Sequence, residues 1–439
     1  MAAAATRGIA RTHRSGDRFR PSDGIRALIR SLAPMAGALA ISALILSYAP
    51  SHTVGPWWLL TLLGVLAMAW VAIQPSGSIR DDVLPALAVV LSALGLAIVA
   101  RLSPELAQKQ QAWLLVSLVL ALAAGPAFTS FRRFAAYKYL WVIASLVLFG
   151  LLLAFGQEVN GARLWIKIGS IQLEPIELIK LFIVFFLAAY LAEMADVIAE
   201  ARPWSLRANL KYLGPLFIGW GASMAILVVQ RDLGMATLLL LTFATLLFVA
   251  TRRVDIVVLG GAIFAGVAYW AVRHYPYVQT RIAVWRNPFS DPLGAGFQSS
   301  QSYYALAAGG VFGTGYRLGH PGFIPDVATD YVYAAFTEEF GLIGALILIA
   351  IFLGLVRRIL AAGLEQPDLY TKLLAAGLGA TMGFQIFIIV GGVIGLFPLT
   401  GITLPFLSYG GSSLVANFLL VALVWAMSSR PKRTSPNTS

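Results

Sequence analysis

The stretch FIPDVATDYVYAAFTEEFGLIGALILIAIFLGLV, residues 323–356, contains an apolar run of membrane length and four acidic side chains, of which Asp330, Glu338 and Glu339 lie directly before or inside the run. A helix needs about 20 apolar residues to cross the hydrocarbon of a bilayer, and residues 334–356 supply them. Asp330 precedes this run, whereas Glu338 and Glu339 lie inside it. Because a carboxylate at membrane depth must face protein or an aqueous cavity, the stretch predicts a membrane protein with a polar interior.

The composition of the whole chain agrees with a membrane setting. Hydrophobic residues make up 59% of the chain, charged residues 12%, and the mean hydropathy is +0.80. A soluble domain carries about 25% charged residues, so a soluble globular protein is excluded. The absence of cysteine excludes disulfides, a thiolate nucleophile and cysteine-ligated metal centres.

Twelve apolar runs near the length of one span predict an all-α fold, a polytopic helical bundle. The runs lie near residues 32–50, 55–73, 83–100, 111–127, 139–155, 178–195, 212–229, 233–250, 256–272, 334–356, 373–397 and 411–428. The expected organisation is a basic tail at 1–31, two N-terminal spans within 32–82, a membrane core at 83–428 with a large loop at 273–333, and a second tail at 429–439.

The formal net charge of +12 comes mainly from Lys and Arg in alternate connections. Cytoplasmic loops retain positive charge, so both termini are expected in the cytoplasm, and 273–333 is expected outside. The run from Leu32 is longer than the apolar core of a signal peptide, which predicts an uncleaved N-terminal tail. The basic excess then reports topology and attraction to anionic lipid, since no basic face with interleaved aromatic residues points to nucleic acid.

Two connections stand out on the external side of this topology, 156–177 and the longer 273–333. Long loops are uncommon without a function, so chemistry is expected there. In LEPIELIKLF, residues 173–182, a proline suits the first turn of a helix, and Glu177 and Lys180 share one face. The two side chains form either a structural ion pair or the cationic mouth of a cavity that receives an anionic head group.

A very short external turn, VVQRDLGMA at 228–236, holds Gln230, Arg231 and Asp232. Aspartate is a favoured N-cap residue, so Asp232 either starts the following helix or belongs to the site.

The stretch GLFPLTGITLPFLSYGGSS, residues 395–413, places helix breakers between two spans. Irregular backbone at membrane depth is tolerated only where it lines a cavity or is buried in protein. This stretch predicts a broken, re-entrant segment, and it is the one such segment that the sequence indicates. Gln385 in the preceding span and Asn417 in the following span are expected to give the cleft polar walls.

The acids of the opening stretch divide into two groups by position. Glu338 and Glu339 are expected inside the bundle, where buried glutamates more often hold helices together than react. Asp330 is expected at the external rim, where a carboxylate within reach of water and a membrane-anchored substrate can act as a general base.

Several motifs together resemble the SEDS family, which contains the RodA, FtsW and SpoVE types. They are NGARLWI (160–166), EPIELIK (174–180), QRDLG (230–234), DPLGAGFQSSQSYYALAAGGVFGTG (291–315), ATDYVYAAFTEEFGLIG (328–344) and PLTGITLPFLSYGGSS (398–413). The resemblance extends from about residue 83 to the end of the chain. It implies a ten-span core preceded by two additional spans, an arrangement that favours the RodA type.

The resemblance implies a peptidoglycan glycosyltransferase of the bacterial cytoplasmic membrane. Such an enzyme polymerises lipid II into β-1,4 glycan outside the membrane and releases undecaprenyl pyrophosphate, in cell elongation or division. The expected partners are a class B penicillin-binding protein and other elongation or division proteins. Asp330 then matches the essential acid of the family, with inversion at the sugar. Asp291, the rival acid, precedes a proline, and we interpret it as a turn residue.

The expected substrate contacts come from the same motifs and from the polar walls of the cleft. The candidates are Arg163, Lys167, Glu177, Lys180, Gln230, Arg231, Asp232, Arg281, Arg286, Gln298, Glu338, Glu339, Gln385, Ser408 and Ser412. The cations among them are expected to neutralise the pyrophosphate, together with a divalent cation such as Mg²⁺ or Mn²⁺ at a site the sequence does not identify. No organic cofactor is expected.

Three positions depart from the pattern of the family. Glu174 and Ile176 stand where glutamine and serine are usual, and Ala328 stands where histidine is common. These changes affect the expected substrate contacts and leave Asp330 without the neighbouring histidine.

Two other functions remain as alternatives. A lipid II flippase would use the same cleft without chemistry, but it needs polar groups through the midplane rather than an acid at the rim. A secondary transporter should show matched broken segments in two halves, whereas the sequence indicates one.

Overall fold

The computed structural model describes residues 78–79, 81–159, 162–169, 171–200, 206–428 and 430–431. The predicted N-terminal tail and the two spans near 32–50 and 55–73 lie outside these residues, as does most of the C-terminal tail.

The described chain is dominated by α-helices, as the sequence predicts. The helices are α1 (Val83–Leu102), α2 (Pro104–Phe128), α3 (Lys138–Phe155), α4 (Ile176–Glu200), α5 (Leu206–Val229), α6 (Leu233–Thr251), α7 (Val254–His274), α8 (Pro276–Arg286), α9 (Phe297–Gly309), α10 (Val332–Leu364), α11 (Leu369–Val393) and α12 (Gly411–Met427). Short 3₁₀ helices cover Phe131–Tyr137, Pro288–Ser290 and Pro321–Phe323.

The ten spans predicted from residue 83 onward are confirmed as α1 to α7 and α10 to α12. Among the described residues, nine of these helices are long and apolar enough to cross a membrane, and α12 is a shorter apolar helix. Side chains fix several of their starts. Ser103 accepts from the Leu106 amide at the start of α2, and Asp368 accepts from the Thr371 amide at 2.9 Å in α11, as N-cap residues do.

Helices α4 and α11 lie at the centre of the bundle and bury most of their side chains. Helix α11 packs against α4, α6 and α10, while α2 packs along α12 and α3 along α4. Helix α7 exposes most of its apolar side chains. This arrangement leaves the loops at one end of α4, α6, α10 and α11 to converge over the buried centre.

The segment between α11 and α12 confirms the predicted break and is buried in protein. Leu404, Phe406 and Leu407 are almost completely inaccessible. A methyl group on Gly95 of α1 would lie 2.7 Å from the Leu407 Cα, so the segment passes directly against α1. Gln110 of α2 donates to the Ser408 carbonyl at 3.1 Å. The segment is therefore packed between α1, α2 and α11, which satisfies the requirement for irregular backbone at membrane depth.

The prediction of only one broken segment is wrong. Helix α10 is also interrupted, because Gly341 has a φ of 66°. The interruption is filled by residues 310–315, whose backbone pairs with the freed groups: the Thr314 amide donates to the Glu338 carbonyl at 2.9 Å, and the Leu342 amide donates to the Gly310 carbonyl at 3.0 Å. The first part of α10, residues 332–340, is thus a separate short helix, called here the half-helix.

A small β-sheet accompanies the helices and was not predicted. The connection 156–177 forms a three-stranded antiparallel sheet of β2 (Gln157–Val159), β3 (Ala162–Ile168) and β4 (Ile171–Leu173). Ile168 pairs with Ile171 across the turn at Gly169, which has a φ of 62°. Two further strands, β1 (Ser78–Ile79) and β5 (Arg430–Pro431), pair with each other. Strand β4 leads directly to Glu174, whose amide donates to Ser412 at the start of α12.

Candidate active site

Asp330 lies two residues before the start of α10, in the turn that leads into the half-helix. Its amide donates to the Asp326 carbonyl at 3.1 Å, and its side chain is half-buried. Burial raises the pKa of the Asp330 carboxyl to about 6, and Arg281 nearby favours the ionised form. A carboxyl with this pKa is ionised at neutral pH and can still accept a proton, which suits a general base.

The broken segment approaches Asp330 closely at one glycine. Gly401 has a φ of 76°, and a methyl group there would lie 3.6 Å from Asp330 Oδ2 and 4.0 Å from Arg281 Nη2. Glycine adopts this conformation without strain and leaves the space between the two side chains open. Ser408 donates to the Thr329 carbonyl at 2.6 Å, and the Tyr409 amide donates to the Ala328 carbonyl at 2.8 Å. The segment is therefore tied to the residues directly before Asp330.

Arg281 reaches this space from α8. Its guanidinium donates to the Leu399 carbonyl at 3.3 Å and to the Thr400 carbonyl at 3.2 Å. These contacts hold one side of the guanidinium on the broken segment, while the whole residue remains exposed. The charge of Arg281 is thus fixed next to Asp330 and is open to an anion.

The turn at 230–232 packs on the other side of the broken segment. Asp232 accepts from the Met235 amide at 2.9 Å and caps α6. The prediction that Asp232 is the N-cap of this helix is therefore confirmed. Burial raises the pKa of Asp232 to about 6, and Arg281 again favours the ionised form. A methyl group on Gly234 would lie 2.6 Å from Thr400 Cβ. Asp232 therefore belongs to the same cluster as Asp330.

Arg231 adds a second cation to the wall formed by α8. Its guanidinium lies over the Tyr277 ring, 5.6 Å from the centroid, and Tyr277 precedes Arg281 by one helical turn. A cation over an aromatic face is held in place without losing its charge. Arg231 and Arg281 thus lie on one side of the site.

The side chain of Gln230 is buried beside the turn at 230–232. Only 4% of the residue is exposed, and neither its Oε1 nor its Nε2 has a hydrogen-bond partner among the described residues. A buried amide in this state indicates a water or a ligand group.

Glu177 and Lys180 are the most deeply buried residues of the cluster that contains Asp232 and Asp330. Both are 1% exposed and paired with each other. Lys180 also donates to Gln385 Oε1 at 2.8 Å, and Gln385 Nε2 donates to the Thr403 carbonyl at 2.8 Å. The structure thus contains the ion pair of the structural alternative, and it uses that pair to join α4, α11 and the broken segment.

Glu174 is a member of the cluster that the predicted substrate contacts omit. Its amide donates to Ser412 Oγ at 2.9 Å, which links the start of α4 to α12. Burial raises the pKa of the Glu174 carboxyl well above its usual value, and the neighbouring charges of Glu177, Asp232 and Asp330 raise it further. The sequence did contain a signal for including Glu174, because it lies three residues before Glu177 and so on the same side of the helix start.

Six further predicted contacts lie on the half-helix, α8, α9 and β3. Glu338 and Glu339 lie at the far end of the half-helix, and Gln298 donates to the Pro325 carbonyl at 2.8 Å. Lys167 is exposed on β3, the strand that also contains Arg163. Arg286 is the exposed last residue of α8.

Asp291 is used by its own turn. Its Oδ1 accepts from the Gly294 amide at 3.0 Å and its Oδ2 accepts from the Ala295 amide at 2.9 Å. Both carboxylate oxygens therefore have backbone donors, as a turn residue requires.

The residues present do not form a dedicated metal centre. Within the part of the chain that the structure describes, no group of three His, Asp or Glu side chains is placed to hold a metal ion. A Mg²⁺ ion is commonly held by one or two carboxylates together with substrate phosphates, and that arrangement needs no such group.

Known proteins are similar to this chain in sequence and in fold. The family model for FtsW, RodA and SpoVE, described as a cell cycle protein, matches residues 83–433. The peptidoglycan glycosyltransferase RodA of Mycobacterium tuberculosis is 35% identical over 428 residues, which covers 91% of this chain and 90% of that protein.

Two solved structures are similar over most of their length. One is a chain of a peptidoglycan synthase complex that coordinates polymerisation and crosslinking, with 29% identity and a TM-score of 0.65, covering 80% of this chain and 97% of that chain. The other is the rod shape determining protein RodA of Thermus thermophilus, with 27% identity and a TM-score of 0.60, covering 80% and 96%. The resemblance seen in the motifs is thereby confirmed, and the chain belongs to the FtsW, RodA and SpoVE family.

Proposed function

We propose that this chain is a peptidoglycan glycosyltransferase that polymerises lipid II into β-1,4 glycan strands and releases undecaprenyl pyrophosphate. The observation that carries the proposal is Asp330, a half-buried acid with a raised pKa beside Arg281 and the open space at Gly401. The RodA of M. tuberculosis, named as a peptidoglycan glycosyltransferase, aligns with 91% of the chain and supports this activity.

The first step is activation of the acceptor sugar by Asp330. The ionised carboxylate takes the proton from the 4-hydroxyl of one lipid II as that oxygen attacks C1 of the other substrate. The bond between C1 and the pyrophosphate oxygen breaks as the new bond forms. Attack from the opposite face converts the α-linked sugar to a β-linked one, so a single displacement accounts for the product without a covalent sugar intermediate.

The second requirement is stabilisation of the departing pyrophosphate. Arg281 and Arg231 lie on one wall of the site, and arginine forms strong paired hydrogen bonds with phosphate oxygens. Fixed cations aimed at the developing charge lower the barrier without reorganisation. Lys180 is already paired with Glu177 and Gln385. Its role is therefore to hold α4 against α11 and the broken segment.

A divalent cation remains an expectation with no step assigned to it. The described residues supply no three-ligand centre, so Mg²⁺ or Mn²⁺ would enter with the pyrophosphate and be held by Asp330, Asp232 or Glu174 together with phosphate oxygens. Its chemistry there is charge neutralisation. Chelation followed by readdition of each metal to the purified protein measures the requirement.

The membrane placement follows from charge. We place both termini in the cytoplasm and Asp330 at the external face of the bacterial cytoplasmic membrane, since Lys and Arg gather in the opposite connections. Arg132 lies in the 3₁₀ helix after α2, Arg252 directly follows α6, and Arg357 lies in the last third of α10, the helix that begins next to Asp330. Adding a reporter to the 429–439 tail and to the exposed turn at Gly169 tests the orientation.

A class B penicillin-binding protein is the proposed partner. The support is the similarity to a chain of a peptidoglycan synthase complex that coordinates polymerisation with crosslinking. Lipid II and the growing glycan are the proposed substrates.

Polymerisation of purified lipid II by the solubilised protein with its partner tests the proposal. We expect moenomycin-resistant glycan from the wild type. The matched assay follows lipid II translocation in liposomes. Translocation by protein that makes no glycan, with the complex intact and metal present, would instead support the flippase.

A further inference from the structure

Two adjacent glutamates lie at the far end of the half-helix from Asp330. Glu338 is 5% exposed and Glu339 is 1% exposed, next to the interruption at Gly341. A buried carboxylate is costly unless it is paired or hydrogen-bonded. The partners of this pair therefore show what the two acids hold in place.

Arg101, at the end of α1, makes two connections to this region. Its guanidinium lies 3.2 Å from Glu339 Oε1 as an ion pair. It also donates to the Gly319 carbonyl at 2.9 Å. One side chain thus joins the first core span to the half-helix and to the loop that leads to Asp330.

Glu338 holds the next residue of the same loop. Its Oε1 accepts from the His320 amide at 2.7 Å, and a methyl group on Gly319 would lie 3.0 Å from that oxygen. Thr314 adds a hydroxyl bond to the Glu338 carbonyl at 3.1 Å. We call Arg101, Glu338, Glu339 and the backbone of Gly319 and His320 the clamp.

Two segments of the chain lead from the clamp to Asp330. The half-helix joins Glu339 to the catalytic end over about nine residues, or roughly 13 Å at 1.5 Å per residue. The loop joins His320 to Asp330 through Ile324 and Ala328, which are both buried. Neither path contains a long exposed segment that could absorb a movement of the clamp.

We propose that Arg101 is a positioning residue for glycan polymerisation, which holds Asp330 in place through Glu339 and Gly319. This inference rests on the proposed function. Loss of the guanidinium leaves Glu339 buried without its cation and frees the Gly319 carbonyl. The half-helix and the loop then shift together, and a misplacement of about 1 Å at a reacting group can cost on the order of 100-fold in rate.

The test compares Arg101→Gln, Arg101→Lys, Glu339→Gln and the double variant Arg101→Gln/Glu339→Gln, each purified with the partner. We expect Arg101→Gln to lower kcat by about 10-fold or more, with KM for lipid II changed by less than about 2-fold, because the substrate contacts remain. Arg101→Lys keeps the charge and recovers part of the rate. The double variant is faster than Arg101→Gln alone, since it no longer buries an unpaired carboxylate.

Arg132→Gln is the matched control. Arg132 pairs with Asp368 at 3.0 Å, lies at the other end of α2 from Arg101, and is exposed. Its loss should leave kcat and KM unchanged. Hydrogen exchange gives the second readout: amides of 316–330 should exchange faster in Arg101→Gln and not in Arg132→Gln.

Three results would overturn the proposal. One is an unchanged kcat in Arg101→Gln, another is a fall in activity that matches the loss of folded protein, and the third is unaltered exchange at 316–330. If the wild type makes no glycan, the proposed function fails, whereas the exchange experiment still decides whether the clamp holds the loop.

Discussion

Carboxyl groups lie at both ends of the half-helix, and their surroundings differ. At its start, the Asp330 carboxyl is half-buried, with a pKa raised to about 6 by burial and with Arg281 fixed nearby. At its other end, Glu339 has Arg101 at 3.2 Å and Glu338 accepts from the His320 amide. Glu338 and Glu339 contact the loop and Arg101, whereas Asp330 borders the open space at Gly401.

The position of Gly401 explains why space remains open beside Asp330. The broken segment is tied to the residues before Asp330 by Ser408 and Tyr409, yet at Gly401 it supplies no side chain. Backbone fills the interruption at Gly341, whereas at Gly401 the space beside Asp330 is left open. In the proposed function, this space admits the substrate.

Removal of the Asp330 charge has the largest expected effect. Asp330→Asn keeps the shape of the side chain but cannot take a proton, and the loss of a general base costs about 10²–10⁴-fold. Polymerisation of lipid II should fall by that factor, with the protein still folded. Asp326→Asn is the matched control, since Asp326 is exposed in the same loop and asparagine tolerates its positive φ of 49°.

Equal activity of the two variants would remove Asp330 from the reaction. A melting temperature of Asp330→Asn at or above that of the wild type is also expected, because burying the ionised carboxyl opposes folding. A large fall in that temperature would show that Asp330 is a structural acid like Glu339.

Gly401→Ala should close the open space between Asp330 and Arg281. The added methyl group lies 3.6 Å from the Asp330 carboxylate, and alanine is strained at a φ of 76°. We expect kcat/KM to fall by about 10-fold or more. Gly260→Ala in α7 is the control, since a methyl group there meets nothing within 4 Å, and wild-type kinetics in Gly401→Ala would show that the space is not used.

Asp291→Ala should have the smallest effect on catalysis. Asp291 accepts two backbone bonds, so its loss should lower the free energy of unfolding by about 1–3 kcal/mol and leave the rate per folded molecule within about 2-fold. Thermal unfolding and lipid II polymerisation measure the two quantities. Inactive but fully folded Asp291→Ala would make Asp291 the reacting acid instead.

Periodicity and breaker residues were sufficient to predict the ten described spans and the segment at 395–413, because both depend on local composition. The motif around Asp330 predicted that this residue is the essential acid, and that role stays a prediction. The interruption at Gly341 was missed because glycine inside an apolar run is compatible with an unbroken helix. The strands at 157–173 were missed because they lie in a short connection between two strong span signals.

The contacts of the acids could not be read from the sequence, since they join distant positions. Arg101 meets Glu339 across more than two hundred residues, and Glu174 joins the cluster only because α4 starts beside α12. The spacing of Glu177 and Lys180 indicated their pairing directly, as residues one helical turn apart do. Local rules thus predicted local contacts, and tertiary packing decided the rest.

The most direct test of the account is the pH dependence of kcat/KM for lipid II in the wild type and in Asp232→Asn. Asp330 must be ionised to act, and its raised pKa places that ionisation near pH 6, so the rate should fall about tenfold for each unit below about pH 6. Asp232 has a similar pKa, so the Asp232→Asn variant shows which of the two acids causes the fall in rate. Asparagine still caps α6. The account predicts the same fall near pH 6 in both proteins; a flat profile, or a fall that disappears in Asp232→Asn, would contradict it.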